Sequence, residues 1–263
     1  MAGETVQLEI REGSARILLN RPDSLNAWNE QFGRDLKTAL DFVADDKSVR
    51  AVMITGAGRA FSSGADLREQ RRSNEQGAPD LGERLNDLYH PVIRGIREMP
   101  KPVVAAVNGP AAGIGCSLAL ACDLVIAAES AFFLLAFVNI GLVPDGGVTA
   151  TIPVRTGFAR ASEMALLGER VPAPKALEWG LINRVVPDAD LETSSTLLLA
   201  HLAKGPTRAY ANAKQLLNRT AYATLADQLD AEAEAQRQQG QTADFIEGVL
   251  AFGEKRPPRF TGT

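Results

Sequence analysis

The sequence predicts an α/β core of parallel strands followed by a helical C-terminal part. Two buried-type apolar runs, Val49–Thr55 and Pro102–Val107, are each followed by a Gly-rich loop and then by helix-compatible sequence. Strands alternating with helices in this way argue for a parallel, layered core. From Leu191 onward only helical patterns remain. The change near Pro187 divides the chain into a core, residues 1–187, and a helical region, residues 188–263.

Taken in order, Val6–Arg11 and Ser14–Asn20 read as two strands, with Glu12-Gly13 as a two-residue hairpin turn. Arg21–Ser24 leaves the sheet as a loop. Asn29–Ala44 reads as an amphipathic helix, with Phe32, Leu36, Leu40 and Val43 on one face. After the strand Val49–Thr55 comes the Gly-rich loop Gly56–Leu67. Arg68–Leu81 is charged and carries Gly and Pro, fitting either a lid or a plain surface loop. Leu85–Met99 has a helical period, and Pro91 must start a new helix or kink an existing one. Asn108-Gly109-Pro110 breaks the next strand, the small residues Ala111–Gly115 form a link, and Cys116–Cys122 opens a helix. Leu124–Ala128 is a strand, Ala131–Phe137 a further apolar run, and Ile140–Gly147 a loop holding Asp145. Helices at Ala159–Leu167 and Ala173–Trp179 end at Gly168 and Gly180, and Leu181–Val186 is a last strand. Leu191–Ala203, Pro206–Asn218, Leu225–Gln239 and Thr242–Glu254 complete the chain as helices.

Composition narrows the function classes. The 263 residues are 45% hydrophobic and 23% charged, with 28 basic and 32 acidic side chains and hence a net charge of −4. Without a broad basic field, nucleic acid is a poor partner. Two cysteines, both between residues 116 and 122, do not make a secreted disulfide framework, so a reducing cytoplasm is expected. His90 and His201 stand apart and there is no CxxC pair, so no metal site is expected. The first residues lack a basic region followed by an apolar one, so no signal peptide is expected. The longest apolar run, Ala131–Val138, is far short of the ~20 residues that span a bilayer.

Asn108–Asp123 (NGPAAGIGCSLALACD) is the stretch richest in chemistry. A strand, a Gly-rich turn and a helix start aim free N–H groups at one spot, with the positive end of the helix dipole behind them. Phosphate, carboxylate and developing oxyanion all suit such a spot. A nucleotide loop is disfavoured, since neither Gly-rich loop completes GxGxxG and GxxxxGK[ST] is absent. GxSxG is also absent, because Ser117 falls one turn into the helix. Two Gly-rich loops, each after a strand, can instead give one N–H apiece to the carbonyl oxygen of an acyl thioester, so that an enolate becomes accessible to a carboxylate base.

FSSGADL at Phe61–Leu67, AAVNGPAAGIGCSLALACD at Ala105–Asp123 and IGLVPDGG at Ile140–Gly147 together resemble the crotonase (enoyl-CoA hydratase/isomerase) superfamily. LNRPDSLNAWN, ALLGERVPAPKALEWGLINRVV and AFGEKRPPRFTG extend the likeness over nearly the whole chain. The resemblance implies a spiral of ββα units, a C-terminal helical region that drives trimerisation, often into dimers of trimers, and an acyl-CoA ester as substrate, with CoA part of the substrate and no separate cofactor. It places the oxyanion-hole N–H groups on Ala65 and Ile114. It assigns CoA contacts to Leu25, Asn26 and Ala27, to Ala65, Asp66 and Leu67, and to Phe252 and Lys255, the last two often reaching a neighbouring subunit's CoA.

The chain departs from the hydratase pattern. The two glutamates that activate water in hydratases fall at Ser117 and Phe137, and neither side chain can do general acid–base work near neutral pH. Asp145 is the remaining acid, at the position where Δ3,Δ2-enoyl-CoA and ring-1,2-epoxyphenylacetyl-CoA isomerases carry Asp or Glu. The resemblance then implies double-bond isomerisation with Asp145 as proton shuttle, in fatty-acid or phenylacetate catabolism. Phe133, Phe137 and Val138 are expected as an apolar wall that raises its pKa and excludes water. The bland alternative makes Asp145 a turn former or helix cap. Ser117 fits a helix residue bonded to backbone, Asp66 a cap or buttress of its loop, and the cysteines core packing. Hydrolytic 4-chlorobenzoyl-CoA dehalogenases pair an aspartate at the Asp145 place with a histidine at the His90 place, which sets a second enzyme reading. A CoA-ester-binding protein without turnover is the alternative outside enzymes.

Overall fold

The computed structural model describes residues 3–69 and 80–263. Its main sheet has six strands in the order β1-β2-β3-β4-β6-β9, comprising Val6–Arg11, Ser14–Leu19, Ala51–Gly56, Val103–Val107, Leu124–Ala128 and Arg184–Val186. Only the β1–β2 hairpin is antiparallel, and the other four pairings are parallel. Its turn has Glu12 and Gly13 both at positive φ, 48° and 80°, as a tight hairpin requires. β4 is buried along its whole length, as expected of a parallel strand covered on both faces.

Helix α1, Glu30–Asp45, buries Phe32, Leu36, Leu40 and Val43, and the Asn29 side chain caps it through the Phe32 N–H at 2.9 Å. Around Pro91 the chain runs as α2, Leu81–Arg84, then a π-helical turn, Leu85–Tyr89, then α3, His90–Glu98. Proline donates no N–H, and the wider turn closes instead through the His90 N–H to the Leu85 carbonyl. The lid-or-loop stretch Arg68–Leu81 lies largely outside the described residues.

Several boundaries differ from the sequence reading. The link Ala111–Gly115 contains a two-residue strand, β5 at Ala111–Ala112, and α4 already starts at Ile114 and runs to Ala121. Gly113 makes this possible, with φ +52° and ψ −131°, values that suit glycine. β5 joins β7, Phe132–Leu134, and β8, Val171–Pro172, in a second small sheet. The apolar run Ala131–Phe137 is therefore only partly strand, and it continues as a 3-10 turn, Val138–Ile140. The sequence reading passed over α5, Val148–Thr156, which carries Pro153 inside it. The remaining helices are α6 Phe158–Leu167, α7 Ala173–Glu178, α8 Leu191–Lys204, α9 Thr207–Ala221, α10 Leu225–Gln239 and α11 Ala243–Glu254. α8 packs on strands of the main sheet, α10 on α2 and α5, and α11 on the 3-10 turn. Among the described residues no helix is long and apolar enough to cross a membrane.

Candidate active site

Two loops meet back to back at the centre of the molecule. The loop after β3 and the loop after β4 are joined by the Phe61 and Ser62 amides donating to the Pro110 carbonyl, at 3.1 and 3.0 Å, and by the Ala112 amide donating to Ser62 at 2.9 Å. A Cβ on Gly64 would lie 2.9 Å from the Ala112 carbonyl oxygen, and one on Gly113 would lie 3.7 Å from the Gly64 Cα. Both glycines have positive φ, 94° and 52°. The residues that follow them are Ala65 and Ile114. Neither amide is taken by an acceptor among the described residues: the bridge between Trp28 and Ala65 is made by the Trp28 amide donating to the Gly64 carbonyl and the Asp66 amide donating to the Trp28 carbonyl, and Ile114 is the first residue of α4.

A third loop is clamped on the first. Buried Asn26 donates to the Ala57 and Ala60 carbonyls at 3.0 and 2.8 Å and accepts from the Arg21 amide at 2.8 Å. Leu25 and Asn26 hold φ of 54° and 56°, uncommon for non-glycine residues. Asp66 pairs with Arg21 at 3.0 Å and accepts from the Arg68 amide at 3.3 Å, so it buttresses its loop.

These loops open on a cavity of about 690 Å³. Leu25, Ala27, Ala65, Asp66, Leu67, Ile114, Phe137, Asp145 and Phe252 all line it. Phe137 is buried, and its ring tip lies 4.0 Å from the Cβ position of Gly113, beside the Ile114 amide. Asp145 is 3% exposed. Its Oδ2 accepts from Gln236 Nε2 at 2.8 Å, its backbone carbonyl accepts from Ser117 Oγ at 2.7 Å, and its Oδ1 has no partner among the described residues. Burial, and then the carboxylate of Glu232, push its pKa up to about 8, against the lowering effect of the Gln236 bond. Its side chain caps no helix. The N-terminus of α5 is served instead by Glu232, which accepts from the Gly147 amide at 2.8 Å, the Thr149 amide at 3.2 Å and the Thr149 hydroxyl.

The sequence pattern of the enoyl-CoA hydratase/isomerase family matches residues 9–263. The chain belongs to this family. It is 43% identical over 259 residues to a 1,2-epoxyphenylacetyl-CoA isomerase of Escherichia coli (strain K12), covering 98% of this chain and 99% of that one. It is 46% identical to a "probable enoyl-CoA hydratase" of Rhodobacter capsulatus over the full length of both. An enoyl-CoA hydratase structure from Mycobacterium avium subsp. paratuberculosis K-10 superposes with a TM-score of 0.88 at 40% identity, covering 98% of each chain. The fold is thus that of the crotonase superfamily, as the sequence motifs implied.

Within this family frame, three sequence-predicted residues do not line the cavity, the first being Asn26, which is fully buried in its clamp. His90 does not line the cavity. It is 2% exposed, its Nδ1 faces Asn86 Oδ1 at 3.2 Å, and burial lowers its pKa to about 4. Lys255 is off the wall too, because it ends α11 in a left-handed turn (φ 56°) that leaves Phe252 to face the cavity. The apolar wall also differs from expectation. Phe133 is packed into the core and Val138 does not line the cavity, so Leu134, Ala136, Ile140 and Leu142 join Phe137 there. Strand alternation explains the shift, since Phe133 and Leu134 on β7 point to opposite faces. The Cys116 and Cys122 thiols are buried and pushed to about 12, so both are inert. Among the described residues no cluster of His, Cys, Asp or Glu could hold a metal ion.

The sequence reading missed Gln236, Glu232 and Tyr89. Gln236 and Glu232 stand on the buried stripe of α10 with Leu225, Leu229 and Ala233. Polar residues on an apolar stripe were the available signal, hidden in the charged-looking run AEAEAQRQQ. Tyr89 lines the cavity from the π-turn, with its ring edge-on to Trp28 at 5.3 Å.

Proposed function

We propose that this chain is an acyl-CoA isomerase that shifts a double bond from the Δ3 to the Δ2 position, the acyl group being linear or derived from an oxidised ring. The thioester carbonyl accepts from the Ala65 and Ile114 amides. Asp145 removes a proton from the carbon beside that carbonyl. The C–H electron pair becomes part of a dienolate, whose oxygen charge the two N–H groups stabilise. The same carboxyl returns the proton at the far end of the allylic system, so nothing is gained or lost. CoA is carried by the substrate and no separate cofactor is needed. Leu25, Ala27, Asp66, Leu67 and Phe252 supply the walls that hold it, with Lys255 near the entrance.

The observation that carries this reading is the isolation of Asp145. Of the described carboxylates on the cavity wall, Asp66 is paired with Arg21 and Asp23 lies in the outer loop, whereas Asp145 is buried and bonded to one neutral amide. A proton carrier that must both take and return a proton works best with a pKa near the working pH. Hydratase names among the relatives favour a second reading, but Ser117 and Phe137 leave water without its two carboxylates. The dehalogenase reading lacks a base at the cavity, since His90 is enclosed elsewhere.

Assays of 3-hexenoyl-CoA isomerisation, crotonyl-CoA hydration and chloride release from 4-chlorobenzoyl-CoA test the proposal. Isomerisation is expected to dominate and to fall about 10³-fold in Asp145→Asn. Full isomerisation by that variant would sink the single-carboxylate mechanism, and CoA-ester binding without any turnover would favour the binding protein. A homotrimer, or a hexamer of two trimers, is proposed as the assembly. Phe158, Leu166, Leu216 and Leu217 are large apolar residues left exposed on the single chain, and light scattering reads the mass.

A further inference from the structure

We propose that Gln236 is the positioning residue that makes Asp145 a one-oxygen proton carrier, and that Glu232, one helical turn before it, completes the arrangement. The inference rests on the isomerase reading and deepens it.

The geometry of the amide fixes the protons. Gln236 Nε2 donates to the Val143 carbonyl and to Asp145 Oδ2, both at 2.8 Å. An amide nitrogen has two hydrogens, so both are used. Turning the amide over would set its oxygen against the Val143 carbonyl, which can only accept, so the orientation is forced. Asp145 Oδ2 is therefore held as an acceptor. Oδ1, buried and without a partner, is left as the atom that carries the mobile proton. From the opposite side Ser117 Oγ holds the Asp145 carbonyl at 2.7 Å, so the backbone of this loop is fixed as well.

Glu232 decides which carboxyl keeps the proton. It is 3% exposed, yet it accepts from two amides and a hydroxyl at the start of α5. Burial raises the Glu232 pKa, and the three hydrogen bonds to its charged form, with the positive potential of the helix N-terminus, work against that rise. Asp145 has one neutral donor among the described residues. By this count of donors, the proposed arrangement has the negative charge on Glu232 and the proton on Asp145. The other titratable group electrostatically coupled to Asp145 is Tyr89, itself held neutral by burial. No cation is in contact with the Asp145 carboxyl among the described residues.

The arrangement also places a determinant of proton chemistry on α10, 91 residues from the acid it orients.

The test uses the full chain with 3-hexenoyl-CoA and reads the pH profile of kcat/KM together with the split between kcat and KM. Gln236→Met keeps the side-chain length and removes both donors. Losing a hydrogen bond to the ionised carboxylate raises the Asp145 pKa, so the ascending limb of the profile is expected to move alkaline by about one pH unit or more. kcat is expected to fall about 10²-fold with KM nearly unchanged. Glu232→Gln keeps an acceptor for the Gly147 amide and removes the neighbouring charge, so the limb is expected to move acid. This second variant keeps the idea testable should Gln236→Met fail to fold. Limbs at the wild-type pH in the variants that fold would overturn the proposal, whatever the loss of rate, because a merely structural role lowers stability without moving a limb. Activity independent of Asp145 would instead overturn the isomerase reading, so the two failures are distinguishable.

Discussion

The two Gly-rich loops and the wall that carries Asp145 border one cavity but are specified in different ways. In the proposed reaction the loop side acts through backbone. Gly64 and Gly113 turn the chain so that the next amide is free, and the turn is encoded within a few residues of the donor. On the opposite wall the proposed reaction acts through side chains, and the partners of Asp145 come from α4 and α10, 28 and 91 residues away. A local turn makes a donor whatever surrounds it. A carboxyl with a raised pKa exists only once the whole fold has closed round it. Damage on the loop side should therefore act on transition-state binding with no change in pH dependence, and damage on the wall should act through pH.

The largest effect short of removing Asp145 is expected from Gly64→Ala. The added methyl meets the Ala112 carbonyl oxygen at 2.9 Å, at a φ of 94° that an L side chain rarely adopts. The loop must shift and carry the Ala65 amide with it. Loss of one oxyanion donor typically lowers kcat by about 10²–10³-fold. Steady-state kinetics should show that loss with the pH limb where it is in the wild type. A moved limb would mean that the two sides are not separable. Gly113→Ala is the milder companion. Its Cβ has 3.7 Å to the nearest atom, so backbone strain alone, on the order of 1–3 kcal/mol, opposes it.

Asp145→Asn separates activity from stability. The folded-state pKa of Asp145, about 8, lies above the ordinary aspartate value of 3.8, so the native state holds a proton that the unfolded chain releases. Stability from this group is full below pH 3.8, falls as pH rises between 3.8 and about 8, and is flat above. The slope for one proton approaches about 1.4 kcal/mol per pH unit. Asparagine stays neutral and escapes that loss. Denaturant melts should show the variant gaining on the wild type as pH rises from 5 to 8, although it is nearly inactive. A stability difference independent of pH would show that Asp145 is not buried as a neutral acid.

The same contrast explains what could be read in advance. The hairpin, α1 and the first five strands of the main sheet follow from short-range pattern and stand where the pattern put them within a residue or two, whereas the last strand starts at Arg184, three residues after the expected Leu181. Ala65 and Ile114 came from the family motifs GAD and GIG, and local pattern alone gave only two Gly-rich loops after strands. Asp145 was legible only through its motif, since Pro-Asp-Gly-Gly read by itself is a turn. Gln236 and Glu232 were not legible, because a helical stripe says that a face is buried without saying which loop buries it. His90, named by motif position alone, is buried and does not line the cavity of the single chain, and Lys255, whose motif position often serves a neighbouring subunit, does not line it either. α5 was hidden by Pro153 and by three β-branched threonines, which weaken a helical signal that packing on α4 and α10 restores.

Ser117→Ala is the smallest change and the one that links the two sides. Ser117 lies on α4, the helix whose first amide is the Ile114 donor, and its hydroxyl holds the Asp145 carbonyl at 2.7 Å. The second contact of that hydroxyl, to the Gly113 carbonyl, is longer at 3.4 Å. Alanine leaves the helix intact but loses a buried bond, about 1 kcal/mol. If the hydroxyl only fills space, kcat is unchanged. If it sets the distance between acid and oxyanion hole, kcat should fall a few-fold while KM and the pH limb stay put, because neither the N–H donors nor the charges round Asp145 have been touched. Ser117→Glu, the residue a hydratase carries there, should not restore hydration. Gly146 packs its backbone against Ser117, with its Cβ position 2.7 Å from the serine Cβ, so a longer side chain must displace the Asp145 loop before it can reach water. Crotonyl-CoA hydration by that variant at hydratase rates would show that the loop yields, and that the wall is less fixed than the hole it faces.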